Sequence, residues 1–128
     1  MMRRRALAAA LIGILAASTA AMAARPSLTS YFPVNFKDAA YQKSALDRVL
    51  KSWKVSSVMP KAGSKTVVQS AIARDGTLMA TMVSTKSGVR EFDEAALAAV
   101  RKAAPFAPLP KGFTEPMIEV HWHFASVP

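Results

Sequence analysis

The pattern of hydrophobic and polar positions along the chain predicts five elements. Ala39, Ala40, Tyr41, Ala45, Leu46, Val49, Leu50 and Trp53 recur at helical spacing, while Lys37, Lys43, Asp47 and Lys51 take the other side. This predicts a first helix starting near Asn35, whose side chain suits a free first-turn amide. Asp38 suits the positive helix end, and Lys43 and Lys51 lie one turn either side of Asp47. From Lys65 to Arg74, Thr66, Val68, Ser70 and Ile72 alternate with Val67, Gln69, Ala71 and Ala73, which predicts a strand. It runs into Asp75-Gly76, the signature of a tight hairpin in which both central residues take positive φ. The returning strand, Thr77 to Thr85, has Leu78 and Met82 out of phase with Met79 and Val83, and a bulge would reconcile them.

Ser87-Gly88 breaks that strand, and a second helix is expected over Phe92 to Ala103 with Phe92, Ala96, Ala99, Val100 and Ala103 on one face. Its acids Asp93 and Glu94 stand at the start and Arg101 and Lys102 at the end, as the helix dipole favours. Pro105, Pro108 and Pro110 stop the helix and predict an extended crossing. In the last strand Ile118, Val120, Trp122 and Phe124 alternate with Glu119, His121 and His123, one face core and one wet. Trp53 and Trp122 are in phase with their apolar faces and are expected in or at the rim of the core. Lys54 to Ser64, with Pro60 and Gly63, reads as loop. Residues 24–34, with Pro26 and Pro33, read as a short irregular lead-in reaching about 35–40 Å at most. The predicted fold is α+β: a three-stranded antiparallel sheet packed against two helices, in the order α-β-β-α-β, over residues 35–128.

The first 23 residues do not fit that core. Arg3, Arg4 and Arg5 precede an apolar run from Ala6 to Ala17, and Ala21-Met22-Ala23 offers a small-x-small cleavage pattern, so residues 1–23 are expected to be a signal peptide. The competing reading is an inner-membrane anchor over residues 6–23, against which its many alanines, Ser18 and Thr19 argue. The expected location is the periplasm. Three of the cations behind the net charge of +9 belong to this leader. The 128-residue chain has no cysteine, which removes disulfides, thiol nucleophiles and cysteine-ligated metals from consideration.

Several of these features together resemble the TonB and TolA carboxy-terminal domain family. They are the strand ending in Asp75-Gly76, the Ser87-Gly88 break, Phe92-Asp93-x-Ala95-Ala96-Leu97 opening a helix, Arg101, and Pro105-Phe106-x-Pro108-Leu109-Pro110 before the last strand. The resemblance runs from Asp38 to Phe124. It implies a periplasmic protein-interaction module that takes an extended partner segment, from an envelope protein or outer-membrane receptor, by strand addition. Such a role would serve envelope transport or integrity. With only residues 24–34 between leader and domain, the chain is expected to be a stand-alone relative, not a transducer spanning two membranes. A three-stranded sheet has two open edges, and the segment Glu115 to Phe124 is expected to be one of them, presenting Met117, Glu119, His121 and His123 to the partner.

Other chemistry is less well supported by the residues. His121 and His123 form a His-x-His pair on one strand face, but no third ligand is in sight, so solvated histidines are favoured over a weak metal site. No cofactor is implied. The serines lack a nucleophile elbow, and adjacent Asp93 and Glu94 do not face one another on a helix, so an enzyme is not expected. Lys51, Lys54, Lys61 and Lys65 crowd the first loop, as a solvated basic face or one that attracts anionic headgroups or an acidic partner. Export argues against nucleic acid, and membrane association is expected only if the leader stays attached. The alternative to partner binding is a self-associating envelope protein, a homodimer or larger, pairing through sheet edges.

Overall fold

The strictest alternation in the sequence becomes an interior strand of the sheet. The computed structural model describes residues 23–128, so the leader, apart from Ala23, lies outside the described residues. In chain order the elements are β1 (Arg25–Tyr31), α1 (Ala39–Ser52), β2 (Lys65–Ala73), β3 (Leu78–Thr85), α2 (Arg90–Ala103) and β4 (Met117–Val127). The strands form one antiparallel sheet in the order β1-β4-β2-β3. Its helix-covered face buries Val68 and Ile72 from β2 and Ile118, Val120, Trp122 and Phe124 from β4. Against them α1 packs Tyr41, Ala45 and Val49, and α2 packs Phe92, Ala96, Ala99, Val100 and Ala103, the face its spacing predicts. No helix among the described residues is long and apolar enough to cross a membrane.

Three expectations change. The sheet has four strands, not three, because the lead-in Ala24–Val34 contains β1, registered with Arg25 opposite Val127 and Tyr31 opposite His121. As an edge strand it is only half-buried, so its alternation is faint, and Pro26 is tolerated there because an edge position need not donate a ladder bond. Helix α1 is capped by Asp38, whose Oδ1 accepts the Tyr41 amide at 2.8 Å, and not by Asn35, which lies in the preceding turn. The β2–β3 hairpin is also not the two-residue form. Gly76 alone among Arg74, Asp75 and Gly76 takes positive φ, the Gly76 amide donates to Ala73 and the Ala73 amide to Thr77. That is a type I turn followed by a left-handed glycine. The expected bulge is present at Met79, where the register slips and sends Leu78 and Val83 toward the core and Met82 to the open face.

The proline-rich segment after α2 is the clasp between helix layer and hairpin. Phe106 donates its amide to Gly76 and Leu109 its amide to Arg74, while the Tyr41 hydroxyl donates to Ala107 at 2.7 Å. Arg48 donates to the carbonyls of Ala103 and Pro105, satisfying acceptors left free where α2 ends. Phe106 stacks on Trp122, and Leu109 is buried. At the other end of α2, Asp93 accepts from the Thr66 hydroxyl and from the Ser87 amide, tying the helix to β2 and to the Ser87-Gly88 break. The buried Trp122 indole donates to Ser70 Oγ, and that hydroxyl donates to Val120, so the core's central polar atoms are paired.

Candidate functional site

The strand expected to be free is enclosed. Between His121 and Ala125, β4 has β1 on one side and β2 on the other, and only its first residues extend past the last β1 pair. The reason is the unforeseen β1, which occupies the edge position assigned to Glu115–Phe124. Met117, Glu119, His121 and His123 all present their side chains on the helix-free face; His121 and His123 are paired on both sides, whereas Met117 and Glu119 pair with β2 alone. His121 Nε2 is 3.2 Å from a Glu119 carboxylate oxygen, and the His123 ring lies against Tyr31 with centroids 4.4 Å apart. Burial, then the charges of Lys65 and His121, hold the His123 pKa below its ordinary value. Among the described residues, no group of three His, Cys, Asp or Glu is placed to hold a metal ion.

The open edges are β1 and β3, and they differ in chemistry. β1 carries Arg25 and Pro26, a charge and a proline of the sort that discourage edge pairing. β3 reads Leu-Met-Ala-Thr-Met-Val-Ser-Thr, with no charge and no proline. Its register against β2 is unbroken from Ala80 to Val83, between the slips next to Leu78 and Thr85. Met79 and Met82 are more than half exposed.

Depressions flank this edge on both faces of the sheet. On the helix side a groove of about 430 Å³ runs between β3 and α2, with Val83 and Leu97 as its apolar floor and Lys86, Arg90 and Glu94 at its rim. Arg90 and Glu94 are paired at 2.9 Å, and Arg101 reaches Thr81 Oγ1 at 3.3 Å. On the open side a cavity of about 260 Å³ is lined by Ala71, Ala80, Met82, Met117 and Glu119. It exists because two small residues, Ala71 and Ala80, sit opposite each other between long ones. Side chains along an extended chain alternate in direction, so a segment laid beside β3 would aim alternate residues into the two depressions.

Of the residues singled out in the sequence, Met117 and Glu119 line the open-face cavity, whereas His121 and His123 lie farther along β4. The landmarks Asp75, Gly76, Ser87, Gly88, Phe92, Asp93, Pro108, Leu109 and Pro110 belong to the hairpin, the α2 start and the clasp, and of these Gly88 and Asp93 also line the helix-side groove beside β3. The strand Thr77–Thr85 is legible in the sequence but its part as the uncharged edge is not, although its lack of charge is a signal of it. A family model described as TonB C terminal matches residues 38–124. No curated protein and no solved structure matches the chain.

Proposed function

The chain belongs to the TonB C-terminal family, a family of protein-interaction domains of the bacterial envelope, and from that premise we propose that it binds an extended partner segment by strand addition at β3. The observation that carries this reading is an eight-residue edge strand without charge or proline. Exposed edges of that kind invite pairing, and proteins that do not use them blunt them. The two flanking depressions give the incoming side chains somewhere to go, so main-chain bonds supply affinity and the pockets supply selectivity. The partner is a segment of an envelope protein or outer-membrane receptor, the exported domain acts in the periplasm, and the role is in envelope transport or integrity.

Chemical-shift mapping with candidate partner segments tests the site. Perturbation should centre on the amides of Leu78–Thr85 and on Leu97 and Met117, leaving β1 little changed. Amide direction alternates along the regular run, so of Thr81→Pro and Met82→Pro, the variant that removes an outward N–H should keep the fold and lose binding. Shifts confined to β1 or to the outer face of α1 would refute the assignment. The same edge pairing with a second copy is the alternative, and sedimentation over a concentration series without partner distinguishes it.

A further inference from the structure

A second surface lies at the end of the domain where β1 begins, and strand addition makes no use of it. The loop between α1 and β2 is firmly seated there. Trp53 turns inward against Phe92 and Phe124, Met59 packs on the core, and Pro60 is buried with its carbonyl accepting from Ser126 Oγ at 2.8 Å. The Gly63 amide donates to Ser126, and the Ser126 amide to Ser64. From this pinned base Leu50, Val55 and Val58 nevertheless point outward, 51%, 41% and 51% exposed. Leu50 is in phase with the apolar stripe of α1 in the sequence, yet the fold leaves it in solvent.

Lysines alternate with these three apolar side chains and follow them along the loop. Lys51, Lys54, Lys61 and Lys65 are exposed, and none takes part in the ion pairs found among the described residues. The chain contains no carboxylate between Asp47 and Asp75, and Asp47, one turn before Lys51, is paired with Lys43. Apolar side chains set among unpaired lysines are the composition of a surface that seats at the headgroup boundary of an anionic bilayer.

Chain continuity points to the same occupant. The apolar run Ala6 to Ala23 is followed by one residue before β1 starts at Arg25. Arg25 lies opposite Val127, beside the Ser126 that is bonded to Pro60, Gly63 and Ser64. Two residues span at most about 7 Å. Where residues 6–23 stay in a bilayer as an anchor, this loop is the part of the folded domain brought to its surface. We propose that Leu50, Val55 and Val58, with Lys51, Lys54 and Lys61, form a docking surface for an anionic lipid bilayer.

The absence of cysteine allows a clean test. The protein as exported by the cell, its N-terminus read by mass spectrometry, is labelled with an environment-sensitive dye at Val58→Cys or, at the opposite end of the domain, at Lys111→Cys. On vesicles of equimolar phosphatidylethanolamine and phosphatidylglycerol the label at position 58 should shift to the blue and that at 111 should not. Phosphatidylcholine vesicles should leave both unchanged. Replacing Lys51, Lys54 and Lys61 together by glutamine should weaken the anionic-vesicle response about 100-fold, from ~1 kcal/mol per lysine near a charged surface. The side chains are exposed, and near-ultraviolet circular dichroism verifies that the fold is kept. No shift at 58, equal shifts at both positions, or undiminished binding by the triple variant would overturn the proposal. So would the same shift produced by soluble polyglutamate without lipid, which would make the occupant an acidic polypeptide.

Discussion

Gly76 shows how one residue can unite several distant landmarks. It holds φ at +93°, and a Cβ built there would overlap the Phe106 carbonyl oxygen. Both the turn and the approach of the proline-rich clasp therefore require glycine. Gly76→Ala should destabilise the domain by about 3 kcal/mol, at the upper end for a residue forced into a sparsely populated conformation, read as a lower denaturation midpoint. The turn was legible in Asp75-Gly76, but its packing against Phe106 was not, because that contact joins residues far apart in the chain. His123 supplies a pH dependence whose sign follows from its surroundings. Burial, Lys65 and His121 lower its pKa below 6.5, so the folded state favours the neutral ring. The stability this reflects is complete above about pH 6.5 and is lost as pH falls through the lower folded value, where the unfolded chain binds the extra proton. Urea midpoints should therefore fall from pH 7.5 to about pH 5, and His123→Gln should flatten part of that slope; an identical slope in the variant would exclude the histidine as its source.

Among the elements, β1 has the largest consequence for function and the weakest sequence signal. Its residues alternate against only one buried face, at an edge, with Leu28 the main side chain packed on the core. By covering β4 it leaves β3, besides β1 itself, as the open edge of the sheet. Deleting Arg25–Tyr31 should lower stability by about 2 kcal/mol, the scale of one well-buried apolar side chain. It should also bare β4 from His121 to Val127, producing concentration-dependent association in sedimentation. A deletion that left both unchanged would mean that β1 does not guard β4. Helix α2 was readable almost to the residue because its five buried positions repeat at one spacing over fourteen residues. Helix α1 was readable in type but displaced at its start, since Asn35 and Asp38 are both capable caps and only the turn formed by the Phe36 amide donating to Pro33 selects Asp38.

On the scale of the molecule, the two proposed surfaces are separate. The β3 edge runs along one side of the sheet, and the lysine-rich loop occupies the end at which β1 begins. A domain seated on a bilayer through that loop would keep its edge strand available to a partner. The residues alone determined the α+β class, the core faces of β4 and α2, and the place of the hairpin, because periodicity and turn chemistry are local and survive without knowledge of neighbours. Which strand lies at the edge, which apolar residues stay in solvent, and which end of the domain holds the start of β1 were decided only by the tertiary structure. Those properties depend on pairing between distant segments: Leu50 and Val49 look alike in sequence, and so do an edge and an interior strand, until the chain has folded around them.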